Sequence, residues 1–227
     1  MMMRKEMFEL EITILRDTFS RLLRRDAYTN LGRLINKTHP ADLATVFRYF
    51  NDEEQHKVFN LMGNNKHTTD FLVELDDTLI ANLLMEEAPQ RIVTLIEYAS
   101  TNDQSYILGT LEEKQAQSVI ELFKTEEKEE IEELMGYPED SAGSMMTTDV
   151  FTLYQSTTCG EALRTLQDQE EAEMVFYLYI TDGDDRLVGV ASLRALATTP
   201  QDTLLMDIMV KRIHSVRPET DQEDVAQ

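Results

Sequence analysis

The chain is poor in cysteine, in basic residues and in long apolar runs, and each shortage excludes something. Its single cysteine, Cys159, cannot form an intrachain disulfide, and one chain cannot build a Cys-based zinc cluster from it. A reducing, cytosolic setting fits. The longest apolar run, Met174 to Ile180, falls far short of the roughly 20 residues that a membrane span needs. The chain as given is therefore not expected to cross a bilayer. Met1 to Leu15 mixes charges among its apolar residues, so no signal peptide is expected. Against 43 Asp and Glu stand 21 Lys and Arg, a net charge of −22. Such a surface repels nucleic-acid backbones and anionic lipid and attracts cations; its simplest use is to keep a protein soluble. Walker A, Gly-rich phosphate-loop and G-x-S-x-G patterns are missing, and His39, His56, His67 and His214 form no pair at ligand spacing. No enzyme is expected.

What is present suffices for a core. Apolar residues make up 42% of 227 positions, enough for one large domain or two ordinary ones. From residue 8 to about 135 apolar side chains recur at helical steps, as in Leu43, Val46, Phe47 and Phe50. Thr38-His39-Pro40 and Asn51-Asp52 read as helix starts, Gly63-Asn64-Asn65 as a break, and Pro89 as the start of another helix. Phe50 to Gln55, with Val58, Phe59 and Met62, aligns with Leu111 to Ala116, with Val119, Ile120 and Phe123. Leu83 to Ile96 forms a looser middle copy. Paired helices repeating about every 30 residues predict a superhelix with one buried face per helix. Lys124 to Glu133 reads as a solvated connecting helix closed by Gly136-Tyr137-Pro138. Arg16, Arg21, Arg24 and Arg25 make the first helix locally basic, most simply as a solvated face.

After Ser141 the pattern changes. Asp149 to Leu153 is a strand candidate, Thr157 to Asp168 an amphipathic helix, and Met174 to Thr181 a buried strand. Asp182-Gly183-Asp184 is a turn, Leu187 to Ala191 a strand, and Ser192 the N-cap of a helix. The order is β-α-β-β-α. Met146, Val150, Thr152, Leu153, Thr157, Glu161 and Ala162 then recur as Met209, Ile213, Ser215, Val216, Thr220, Asp224 and Val225 at one constant offset. A complete small module is followed by the first pieces of a second.

That module, ending in Gly189-Val190-Ala191-Ser192-Leu193-Arg194, resembles a CBS domain. A helical stack, then Tyr137-Pro-Glu-Asp-Ser-Ala-Gly-Ser-Met-Met-Thr147, then a CBS pair resembles the cytosolic region of MgtE-type magnesium transporters. His39-Pro40-Ala41-Asp42-Leu43 is similar to the start of that family's helical domain. The resemblance implies an α plus α/β fold: a helical-repeat superhelix over 1–136, a first CBS domain over 137–203, and the start of an incomplete second over 204–227. It also implies a Mg²⁺ sensor on the cytoplasmic side of the cell membrane. In that family Mg²⁺ bound between the helical domain and the CBS pair holds the assembly closed. Mg²⁺ is then both the regulatory and the transported ion. The implied partners are a transmembrane domain of the same chain and a second copy joined through the CBS domains; nucleic acid is not one.

The resemblance also indicates ligands. Asp70 falls where a metal-facing acid sits, Asn102-Asp103 falls at a turn and helix start that holds another, and Gly143 offers a backbone carbonyl. The match departs at Asn102 and at Tyr106, where acids are expected. Read from the residues alone, Asp70 is a solvated surface acid and Asp103 an N-cap for a helix beginning near Gln104. Many CBS pairs bind adenine nucleotides such as ATP through a Ser or Thr and an Asp three residues on. Here Ser192 is followed by Ala195, which cannot accept hydrogen bonds from a ribose; Arg194 is left as a phosphate contact. Cys159 precedes a helix, a position that can lower a thiol pKa, but no His partner suggests catalysis. The competing expectation is a CBS scaffold or adenine-nucleotide-responsive regulator without a role in ion transport.

Overall fold

The computed structural model describes residues 2–138, 140–148, 150–168 and 176–226. The chain divides into two compact units, Met1–Met146 and Thr147–Gln227. The junction from Tyr137 to Met146 goes with the first.

The first unit is helical throughout: α1 (Met2–Leu23), α2 (Tyr28–Ile35), α3 (Pro40–Phe47), α4 (Asp52–Asn60), α5 (Lys66–Val73), α6 (Asp77–Leu84), α7 (Pro89–Ile96), α8 (Thr101–Gly109), α9 (Glu113–Ile120), α10 (Thr125–Met135) and α11 (Ala142–Met145). Most run for eight or nine residues, too short to persist alone in water. Caps and packing hold them. Asn51 and Glu54 form a capping box at α4, while Asn65, Asp76 and Ser100 accept backbone N–H bonds at the starts of α5, α6 and α8. Pro40 and Pro89 occupy first turns, where a missing N–H costs nothing.

Consecutive odd helices stack, α3 on α5, α5 on α7 and α7 on α9. Even helices stack behind them, α2 on α4, α4 on α6 and α8 on α10. The enclosed core includes Phe19, Phe47, Phe59, Phe71, Leu84 and Leu95. The Phe47 and Phe71 rings meet edge to face at 5.1 Å between centroids. Each buried side chain of this size contributes about 1.5–3 kcal/mol.

Hairpins begin at Pro40, Lys66, Pro89 and Glu113, a shorter repeat than the thirty-residue one expected. The expected alignment pairs α4 with α9, helices of different layers. It fails because an apolar residue, a polar turn and an amphipathic helix describe every element of this stack equally well. Lys124 to Glu133 is not a freely solvated connector. It forms most of α10, which buries Ile131 and Leu134 and packs on α8.

One polar device recurs along the stack. Gln55 Nε2 donates to Phe47 O and Phe50 O at 3.3 and 3.1 Å. Gln104 Nε2 donates to Ile96 O and Ala99 O, both at 3.2 Å. Gln115 Nε2 donates to Leu84 O at 2.8 Å. Each amide adds a side-chain donor at the end of an earlier helix, where Phe47 O, Ile96 O and Leu84 O otherwise accept only a tight-turn N–H from Phe50, Ala99 and Glu87.

The second unit holds β1 (Thr152–Tyr154), α12 (Cys159–Asp168), β2 (Tyr177–Thr181), β3 (Leu187–Ser192), α13 (Leu193–Thr198), α14 (Leu205–Ile208) and α15 (Gln222–Val225). The sheet order is β1-β2-β3. β1 lies parallel to β2 with Leu153 opposite Ile180, and β2 antiparallel to β3 with Tyr179 opposite Val190. Leu178, Ile180, Ala191, Cys159, Ala162, Leu196 and Leu205 form its core. The expected β-α-β-β-α order is present. β1 begins at Thr152 rather than at Asp149, which lies outside the described residues, as do Met174 and Val175 of the second expected strand.

The internal repeat also has a structural trace. α14 stands to α11, and α15 to α12, at the same offset that relates Met209 to Met146. Ile213, Ser215 and Val216, the counterparts of Val150, Thr152 and Leu153, run without regular structure. A strand needs a neighbour to pair with, and in this stretch the described pairings are single bridges, Leu204 with Thr158 and Val210 with Val190 on β3.

Candidate functional site

Asp70 lies in α5, its carboxylate 3.3 Å from Lys66 Nζ one turn earlier, with 42% of its side chain exposed. It is only partly covered and remains open to a hydrated cation beside an exposed lysine. Asp103 lies in the first turn of α8. That helix begins at Thr101 and is capped by Ser100, so Asp103 is not the N-cap that its position suggests. Its Oδ2 instead accepts a 2.8 Å bond from Ser100 Oγ, while its own N–H donates to that hydroxyl at 3.2 Å. The carboxylate is half-buried, and the helix N-terminus suits its charge.

Asn102, beside it, faces the junction. Ser144 O and Met146 O lie 3.3 and 3.0 Å from one end of its amide. Both are acceptors, so that end is the NH₂ group. Gly143, buried, precedes Ser144 in α11 and lies directly under the Tyr137 ring. The structure thus brings Asn102 and the segment carrying Gly143 together, with Asp103 adjacent in sequence. Asp70 is on another helix, with Lys66 as its partner.

Two further acids were missed by sequence reasoning. Tyr106 Oη donates a hydrogen bond to Asp77 Oδ1 on α6. That bond, followed by burial and by the charges of Asp77 and Asp76, pushes the phenol up to about 12. Asp76 caps α6 and lies 3.7 Å from Arg48 Nε. The departure at Tyr106 was the available signal; its partner, 29 positions away, was not.

Among the described residues no group of three or more His, Cys, Asp or Glu is placed to hold a metal ion. The donors are nonetheless of the right chemistry. Mg²⁺ takes hard oxygens, keeps several waters and is commonly held by one or two carboxylates. Asp70 and Asp103 fit a hydrated ion; they do not form a dehydrated cage.

On the second unit, Ser192 Oγ accepts from Ala195 N at 3.1 Å and so caps α13. Arg194 is exposed on that helix, and Ala195 presents no carboxylate. Cys159 is fully buried, and burial pushes its thiol pKa up. The expected lowering by the start of α12 is outweighed, because desolvation penalises the thiolate more than the helix end favours it. Among the described residues no helix is long and apolar enough to cross a membrane.

Comparison with known proteins bears on both units. Residues 38–140 match the MgtE intracellular N domain and residues 142–200 the CBS domain. The magnesium transporter MgtE of Thermus thermophilus is 30% identical over 200 residues, 86% of this chain and 44% of that protein. The magnesium transporter MgtE of Enterococcus faecalis is 42% identical over 104 residues, 45% of this chain and 23% of its own length. That of Bacillus subtilis is 26% identical over 206 residues, covering 90% and 46%. The chain thus spans less than half the length of the curated relatives it matches, and these carry transporter names, not enzyme names. A crystal structure of the cytosolic domain of the Mg²⁺ channel MgtE in complex with ATP superposes with a TM-score of 0.82 at 29% identity, covering 93% of this chain and 86% of that one. The soluble part of a magnesium transporter superposes with a TM-score of 0.76 at 26% identity, covering 95% and 85%.

Proposed function

The chain belongs to the MgtE family, carrying its intracellular N domain followed by a CBS domain, and on that premise we propose that it is the Mg²⁺-sensing regulatory region of a magnesium transporter or channel. The observation that carries this reading is the match of helical and CBS units together to the cytosolic domain of a Mg²⁺ channel. Mg²⁺ is proposed as both the transported and the regulatory ion, bound between helical and CBS domains and favouring a closed state. A transmembrane domain of the same protein and a second copy joined through CBS domains are the proposed partners, with this region on the cytoplasmic side of the membrane.

The physical chemistry supports this scheme. A chain of net charge −22 repels itself on compaction. An ion that binds only the compact arrangement shifts the population towards it by mass action. The ligands we propose are the carboxylates of Asp70 and Asp103, and the Gly143 carbonyl that the resemblance indicated is not among them. Sites of one or two carboxylates are weak singly, which suits an ion present at high concentration.

A nucleotide-responsive regulator is the second reading, favoured by the ATP complex of the related cytosolic domain. In this chain Ser192 Oγ is committed to capping α13 and position 195 has no acid, leaving Arg194 alone. We do not assign nucleotide binding to this half.

Small-angle scattering during titration with MgCl₂, against KCl of equal ionic strength, tests the proposal. Compaction specific to Mg²⁺, weakened by Asp103→Asn or Asp70→Asn, supports it. An identical response to KCl would reduce the acidity to surface charge and screening.

A further inference from the structure

We propose that Asn102 is a positioning residue that ties the junction to α8 by direct hydrogen bonds and so makes that attachment independent of divalent cations. This stands apart from the sensing function above; it concerns one contact and holds whether or not the region responds to Mg²⁺.

The argument starts from the carbonyls. α11 runs only from Ala142 to Met145, and Met146, which follows it, is already extended. Four residues cannot satisfy the last carbonyls of their own helix. Ser144 O and Met146 O converge on one end of the Asn102 side chain, at 3.3 and 3.0 Å. An amide NH₂ carries two protons, one for each carbonyl. Met146 is also the last residue of the helical unit, so this pair of bonds anchors the end of that unit to the second helical position of α8.

Charge chemistry makes the identity of residue 102 decisive. A carboxylate at the same place would bring a third oxygen within about 3 Å of two carbonyl oxygens with no proton to share. Such a cluster is repulsive unless a cation or a water with two donor protons sits among the oxygens. Aspartate at 102 would therefore make the junction conditional on an ion. Asparagine, of the same size and shape, supplies the missing donors from the protein.

Hydrogen exchange read by mass spectrometry on peptides covering residues 141–148 tests this. In the unmodified chain the exchange rate should be the same in MgCl₂ and in EDTA at matched ionic strength. Asn102→Ala should exchange about tenfold faster in both conditions, two modest hydrogen bonds being lost. Asn102→Asp should exchange faster in EDTA and recover in MgCl₂ but not in KCl. Loss of protection of the unmodified chain in EDTA overturns the proposal, and that comparison needs no variant to fold. So does unchanged protection in Asn102→Ala, or Asn102→Asp exchange that is as slow in EDTA as in MgCl₂.

Discussion

Replacing Gly143 by alanine tests how tightly the junction is built. No glycine among the described residues has a positive φ, so backbone freedom is not why position 143 is glycine. Space is the reason. A Cβ there would lie 2.7 Å from both Cδ atoms of Tyr137, where carbon atoms normally keep about 3.5–4.0 Å. The contact falls on the base of the ring, not on the free end of a flexible chain. The ring is held at its far side by a 3.0 Å hydrogen bond from the hydroxyl to Glu133 on α10. Either the ring swings away and that bond breaks, or α11 lifts by about 1 Å. Overpacking of this kind costs about 1–3 kcal/mol. Alanine's better helix propensity returns at most about 1 kcal/mol, and less in a four-residue helix. The expected net loss is about 1–2 kcal/mol, or roughly 2–8 °C in Tm for a chain of this size. Urea denaturation of the single variant and of Gly143→Ala in a Tyr137→Ala background measures it. In the second background the methyl has room, so the cost should vanish. An unchanged stability, or an equal cost in both backgrounds, would refute the packing argument.

Truncating Gln55 to alanine should remove the side-chain donor from the Phe50 carbonyl and leave Phe47 O with only the Phe50 N–H, at a cost of about 1–2 kcal/mol; a urea midpoint within error of the parent would show that water replaces the amide. Tyr106 binds its proton more tightly folded than unfolded, its pKa being about 12 against an ordinary 10.0. Its contribution to stability is therefore complete below pH 10 and lost as pH rises towards 12. Tyr106→Phe should flatten the fall in stability across that window, and an unaltered slope would assign the fall to other groups. The Cys159 thiol is buried and its pKa is raised, so a thiol reagent should label it only as fast as the second unit opens. Labelling as fast as in urea would place the thiol on the surface.

The division into a helical half and a CBS-like half was legible because the two use different grammars. Three- and four-residue apolar spacing runs to about Met135, and β-branched and aromatic runs with Gly and Asp turns follow. Cap residues marked several helix starts: Asn51, Pro40 and Pro89 lie where the structure begins α4, α3 and α7. The true period of the stack was not legible, because short amphipathic helices of near-equal length align with one another in any register. Gln55 and Gln104 were a better clue. Each stands four places after its N-cap, Asn51 or Ser100, and bonds to an earlier helix. Such a contact is invisible to apolar periodicity, since glutamine looks like an exposed residue until the carbonyls beneath it are placed.

The candidate site was legible as chemistry and not as geometry. Asp70 and Asp103 were identified as oxygens suited to Mg²⁺, yet a sequence does not say what else a carboxylate is doing. Asp103 is bonded to Ser100 and Asp70 faces Lys66. The second pair is exposed, where such contacts are worth about 0.3–0.5 kcal/mol. A divalent ion approaching Asp70 displaces a weak monovalent partner, whereas one approaching Asp103 must share the carboxylate with a capping hydroxyl. Asn102 is different in kind. Its side chain already satisfies two carbonyls with its own protons, so a cation there would have to displace a donor and then face the nitrogen that remains. The two acids are open to an ion in ways that the amide between α8 and the junction is not. Any Mg²⁺ response of the helical unit should therefore pass through carboxylates and leave the Asn102 contact unchanged.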